Sequence, residues 1–69
     1  MLFGWISTET SERRYLLSLG IRLGKYDRAC GCYRDCMVPD EAYGALAEMA
    51  REAPPRAIVM LEDLPEADA

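Results

Sequence analysis

From Tyr15 to Leu23 an apolar side chain stands at every second position, and the pattern resumes in matching phase after Gly24-Lys25-Tyr26-Asp27 and runs to Val38. Strands point alternate side chains to opposite faces, so this pattern predicts a β-hairpin over residues 13–38. Tyr15, Leu17, Leu19, Ile21 and Leu23 share one face, and Leu16, Ser18, Gly20, Arg22 and Gly24 the other. With Lys25 and Tyr26 at the centre of the turn, Leu23 opposes Arg28, Ile21 opposes Cys30 and Leu19 opposes Cys32, while Leu17 meets Arg34 and Tyr15 meets Cys36. Directly opposed residues share a face, so Leu17, Leu19, Ile21, Leu23, Cys30 and Cys32 form the expected core surface. Gly20 falls opposite Gly31 on the other side, where paired glycines admit a close neighbour or mark a bulge.

A rival reading starts a helix near Thr8 or Ser11, with Glu9 four residues before Arg13 and Leu16, Leu19 and Leu23 along one face. Gly20 and Gly24 weigh against it, since each costs about 1 kcal/mol inside a helix. The strand is therefore the preferred reading, with residues 8–24 open to the helical one.

The remaining punctuation is plainer. Residues 1–6 carry the only Trp and the only Phe and read as an additional strand, followed by the polar turn-forming run Ser7-Thr8-Glu9-Thr10-Ser11-Glu12. Asp40 is a good N-cap for a helix over residues 40–53, in which Ala42, Leu46, Met49, Ala50 and Ala53 recur at helical spacing. Pro54-Pro55 ends it. Residues 56–62 follow as a third strand, apolar on both sides through Ile58, Val59, Met60 and Leu61 and therefore expected at the centre of the sheet. Residues 64–69 are an acidic tail. The predicted fold is α+β: a β-hairpin followed by one α-helix and a return strand, with an N-terminal strand and the helix packed on one sheet face, all in a single domain spanning residues 1–69.

A domain of 69 residues buries only roughly 60% of its unfolded surface, which leaves little net stability. Three cysteines cannot all pair within one chain, and the absence of histidine removes the common mixed zinc sites. A homodimer is the expected reinforcement. The longest apolar run, Ala57 to Leu61, is far below the roughly 20 residues that span a bilayer, and the start of the chain lacks the layout of a signal peptide. A cytoplasmic protein with no membrane contact is expected. The net charge of −4 divides into +2 over residues 1–39 and −6 over residues 40–69. Such a balance disfavours nucleic acid, which needs a dense basic face, and suits docking onto a protein of mixed charge.

Cys30, Cys32 and Cys36 raise the question of a thiolate metal centre. In an extended strand at about 3.3 Å per residue, Cys30 and Cys36 lie roughly 20 Å apart, and the fourth ligand would have to be Asp27 or Asp35. Buried packing is the favoured role, ahead of a redox or metal one, and no metal or cofactor is expected. Catalysis finds little support without a histidine base, although Arg28 or Arg34 is placed to activate a neighbouring thiol. Tyr26, Arg28, Tyr33 and Arg34, with Trp5 near the start, are the types that anchor protein interfaces, and the first four are the candidate partner-binding residues. Tyr33 and Trp5 serve equally well as cover for a core.

The segment Cys32-Tyr33-Arg34-Asp35-Cys36-Met37-Val38-Pro39-Asp40-Glu41-Ala42-Tyr43, followed by Ala57-Ile58-Val59-Met60-Leu61-Glu62, resembles a pattern in small phage proteins. In these an aromatic strand ends in Asp-Cys-x-Val-Pro and a short helix and last strand follow. The chain is also similar in length and in its Ala, Arg and Glu richness to early proteins of phages that infect GC-rich bacteria such as pseudomonads. Some of those disable host regulators, among them an anti-activator of quorum sensing, and others block pilus assembly ATPases. The resemblance implies a stoichiometric inhibitor of a host protein, such as a transcriptional regulator or a pilus ATPase, and it transfers no functional residue. Two other expectations stand beside it: a cysteine-based metal or redox module, and an accessory or structural phage protein.

Overall fold

The computed structural model describes residues 1–63, and the expected acidic tail at 64–69 lies outside the described residues. The elements in chain order are β1 (Leu2–Thr8), α1 (Arg13–Ser18), β2 (Tyr26–Asp27), β3 (Cys32–Val38), α2 (Tyr43–Arg51) and β4 (Ala57–Asp63). The four strands make one antiparallel sheet in the order β2-β3-β1-β4. The fold is α+β, as expected. Its N-terminal strand is one of the two interior strands, paired with β3 on one side and β4 on the other.

The predicted strand over Tyr15–Leu23 is instead a short helix and its exit, and Gly20 is the reason. Gly20 stands just past the helix end at φ 85°, a left-handed conformation that costs glycine nothing. There its N–H donates to the Leu17 carbonyl (3.0 Å) and the Ile21 N–H to the Leu16 carbonyl (3.3 Å). This is a Schellman cap, closed by the accompanying contact between the buried pair Leu16 and Ile21. The glycine that argues against a helix interior is the signal that stops one. Leu16 and Ile21 are deeply buried, Leu19 and Leu23 pack partly against the core, and Leu17 is exposed.

The turn is displaced as well. Tyr26 pairs with Tyr33 and Asp27 with Cys32, so the reversal lies at residues 28–31 and not at Lys25 and Tyr26. The Asp27 Oδ1 accepts the Ala29 N–H at 2.9 Å and the Gly31 N–H donates to the Asp27 carbonyl at 2.8 Å. Gly31 at φ 71° completes the reversal. Gly20 and Gly31 are therefore not paired. The hairpin is short, extended by a hydrogen bond from the Arg34 N–H to the Lys25 carbonyl (2.7 Å) and by a bridge between Arg22 and Met37.

A bulge sets the faces of β3. Gly4 pairs with Cys36 but Ile6 with Tyr33, leaving Arg34 and Asp35 opposite Trp5 alone, with Asp35 at φ 56°. The extra residue lets Tyr33 and Cys36, three apart, face the same core.

Both helices cover one sheet face. Leu16, Ala42, Leu46 and Met49 gather with Ile6, Val38, Cys36 and Ala57 in a single core, flanked by Leu2, Val59 and Leu61. Before α2 a 3-10 turn, Asp40–Ala42, follows Pro39, which takes the capping position in extended geometry without a side-chain bond. Asp40 is therefore not the cap and lies 3.0 Å from the terminal amine of Met1. Arg56 fastens α1 to the start of β4: its guanidinium meets both Glu12 oxygens at 2.8 and 3.0 Å and lies 5.4 Å from the centre of the Tyr15 ring.

A helical Arg13–Ser18 and a strand there make opposite demands on Leu16 and Leu17. Leu16→Ala is expected to cost about 2–5 kcal/mol in chemical denaturation, whereas Leu17→Ala should change stability by less than about 0.5 kcal/mol. The reverse order would restore the strand.

Candidate functional site

The second sheet face has neither helix nor strand over it among the described residues. Alternation in β1 turns Leu2 and Ile6 into the core, and Phe3, Trp5 and Ser7 away from it. In β4, Ala57, Val59 and Leu61 face the core while Ile58 and Met60 face outward, 56% and 61% exposed. Trp5 pairs with Met60 and Ser7 with Ile58, so an indole, an isoleucine and a methionine lie side by side on an open surface. Cys32 and Arg34 join this surface from β3, and a cleft of about 260 Å³ opens among Trp5, Ser7, Cys30, Cys32, Arg34 and Ile58.

β4 is one of the two edges of the sheet, with β2 at the other, which corrects the central position expected from its two apolar sides. An apolar run fits burial on both faces, but burial on one face and exposure on the other give the same sequence, and β4 takes the second arrangement. Among the described residues no strand lies beside its outer backbone groups, and on the helix side a cleft of about 540 Å³ is lined by Leu2, Tyr43, Val59, Leu61 and their neighbours. Natural edges are usually blunted by charge, proline or bulges. Here charge enters only at Glu62 and Asp63.

The four residues expected to bind a partner separate into two groups. Tyr26, Arg28 and Arg34 converge at the hairpin end around a cleft shared with Lys25 and Asp27. Tyr33 does not join them at the surface: it is 5% exposed and turns towards the core, its ring 5.0 Å from that of Tyr26 and tilted by 60°. The bulge explains this correction, because an uninterrupted strand in the expected register would have placed Tyr33 opposite the core. Arg34 is held by Asp27, Nε to Oδ2 at 3.0 Å.

The cysteines occupy three environments. Cys36 is fully buried in the core, and that burial pushes its thiol above the ordinary value. Cys32 is buried on the open side of the sheet, its thiol raised first by burial and then by the neighbouring Cys30. Cys30 is exposed in the turn, contrary to its expected core position, because the reversal falls around it. Its Sγ donates to Asp27 Oδ2 and accepts from Arg34 Nη2, each at 3.7 Å. Among the described residues no group of three or more Cys, Asp or Glu side chains is arranged to hold a metal ion, and no helix is long and apolar enough to cross a membrane.

The open face was the part of the site that sequence reasoning missed. Its signal was present in Phe3-x-Trp5 and Ile58-x-Met60, two alternating pairs whose outward members are large and apolar. No family model matches this chain, and neither a curated protein nor a solved structure matches it.

Asp27 holds both the turn and Arg34, so its titration reports on this end of the sheet. The Ala29 N–H lowers its pKa from the ordinary 3.8, desolvation opposes this in part, and the Arg34 charge lowers it further. The carboxylate therefore stabilises the fold above pH 3.8, and that contribution is lost as pH falls through the lower folded value. Carbon-13 titration of the native protein should give Asp27 a midpoint below 3.8, and Asp27→Asn should flatten the acid limb of the stability curve. A midpoint at or above the ordinary value would contradict this geometry.

Proposed function

We propose that this chain is a non-enzymatic protein-binding domain that holds an extended segment of a partner protein along β4. The observation that carries the reading is β4 itself: an edge strand with apolar side chains on both sides, beside an uncovered face carrying Trp5. Exposed edges with large apolar neighbours are aggregation hazards unless a partner covers them, and addition of a strand is a common way for proteins to capture peptides. The backbone supplies affinity, while Ile58 and Met60 on one face and Tyr43, Val59 and Leu61 on the other supply contacts for alternate side chains.

Charge favours a foreign segment over a second copy. Antiparallel self-pairing centred on Met60 sets Glu62 opposite Ile58 and Asp63 opposite Ala57 at both ends, placing carboxylates against apolar groups while the nearest cation, Arg56, is already paired with Glu12 and Glu52. A partner strand that is apolar opposite Ile58 and Met60 and basic opposite Glu62 and Asp63 satisfies both requirements. Together with the resemblance to small phage proteins, this supports a stoichiometric inhibitor that captures a host protein in the host cytoplasm, a transcriptional regulator foremost, and holds it inactive. The uneven charge along the chain remains unfavourable for nucleic acid.

Selection of displayed peptides on the purified protein tests the reading. The expected winners alternate apolar residues and carry Lys or Arg at one end. Met60→Glu should weaken their binding by about thirtyfold or more, as loss of an interface anchor does, while Glu48→Ala on the outer side of α2 leaves it unchanged. Peptides that bind Met60→Glu normally, or a wild-type protein that is a β4-paired dimer at micromolar concentration, would overturn it.

A further inference from the structure

The turn between β2 and β3 holds a second chemistry that does not depend on the binding proposal. Cys30 and Cys32 flank Gly31, whose φ of 71° brings the chain round without a side chain within 4 Å of its missing Cβ position. One thiol is exposed and the other is 3% exposed, and both line the cleft beside Trp5. They are close enough for the Cys30 thiol to perturb that of Cys32. The Arg34 guanidinium lies 3.7 Å from the exposed sulfur, and Asp27 fixes both, through its contact with Arg34 at 3.0 Å and its hydrogen bond from Cys30 at 3.7 Å. Cys36 points to the opposite, helix-covered face and has no part in this cluster.

We infer that Cys30 and Cys32 form a dithiol site that reacts with small disulfides of the glutathione class and closes to an intrachain Cys30–Cys32 disulfide. Cys30 Sγ, its proton lost to solvent, attacks one sulfur of glutathione disulfide. The S–S bond of the oxidant breaks, and one glutathione leaves as a thiolate that takes a proton from solvent. Cys32 Sγ, deprotonated in turn, attacks the sulfur of Cys30 and expels the second glutathione. Two protein thiols are oxidised to one disulfide and glutathione disulfide is reduced to two thiols, so atoms and electrons balance. The roles follow from exposure: an accessible thiol meets the external disulfide, and a shielded neighbour resolves the mixed disulfide faster than solvent thiols reach it. Arg34 offsets the negative charge on the sulfurs during exchange. The Asp27 carboxylate opposes that charge but holds the Cys30 rotamer against the guanidinium. Residues two apart are within the Cα separation that a disulfide spans, and the central glycine leaves the ring free of a Cβ.

The test treats the reduced, folded protein with glutathione disulfide and follows intact mass, alkylation of the remaining thiols and Trp5 fluorescence. The expected product has lost two hydrogen atoms and carries no glutathione. Its only alkylatable cysteine is Cys36, and that becomes accessible only on unfolding. A disulfide formed beside the indole should also quench Trp5. Cys32→Ser should stop at a stable glutathione adduct on Cys30, Cys30→Ser should react at least about tenfold more slowly because its remaining thiols are shielded, and Cys36→Ser should close as the wild type does. Arg34→Gln should slow the first step by roughly threefold to tenfold, the effect of one exposed charge-assisted contact. A wild-type product that keeps its glutathione, links two chains through Cys30, or includes Cys36 in the bond would overturn the assignment. These readings come from the wild-type protein, so they stand even if a variant fails to fold.

Discussion

The architecture depends on β1 having a strand on each side and helices on one face only. Ile6, at the middle of that strand, is fully buried and pairs with both Tyr33 and Val59. It joins the core that takes in Leu16 from α1 and Leu46 and Met49 from α2. With two short helices there is enough apolar side chain to cover one face of four strands and no more. The consequence is arithmetic of surfaces: Trp5 and Phe3, one residue to either side of Gly4, turn to the face that no helix or strand among the described residues covers. The binding proposal is a consequence of that one-sided packing.

How much of this was legible in the sequence depended on whether a signal was local. α2 was legible because Ala42, Leu46 and Met49 repeat at helical spacing between Pro39 and Pro54. β4 was legible as a strand but not as an edge, since pairing order is a tertiary property. The first half of the hairpin was misread for a specific reason. Alternation from Tyr15 to Leu23 coexists with a helical pair, Leu16 and Leu19, and Gly20 discriminates between them only when treated as a cap. The turn carried its own signal in Asp27 and Gly31, a side chain that mimics a backbone acceptor four residues before a glycine. The bulge at Arg34 and Asp35 had almost none, and it alone decides that Tyr33 is interior while Arg34 remains at the surface. Of the expected binding set, Tyr26, Arg28 and Arg34 line one cleft while Tyr33 lies in the core. The larger surface around Trp5, Ile58 and Met60 was not legible, because an apolar residue carries the same signal whether its strand face is buried or open.

The two proposed activities share one face. The dithiol turn lies at the β3 end of the surface, and the cleft that holds its sulfurs is walled by Trp5 and Ile58, the second of which belongs to the strand proposed to receive a partner. Closing a disulfide there would alter the floor beside the indole without touching the core, because Cys36 and the helices are on the other side. A partner lying over Trp5 would in turn shield Cys30 from small disulfides. Occupancy and thiol state are thus expected to influence each other through direct contact, with no conformational relay.

The most direct measurement is native-state hydrogen exchange of the protein alone, read residue by residue at micromolar concentration. In an antiparallel edge strand alternate N–H groups point inward to the neighbouring strand and outward to solvent. The account predicts that β1 holds the slowest amides in the molecule and that β4 alternates, every second amide exchanging close to the rate of unprotected chain. Uniform protection along β4 would contradict it, because that edge would already be covered, and the surface argued to await a partner would not be free.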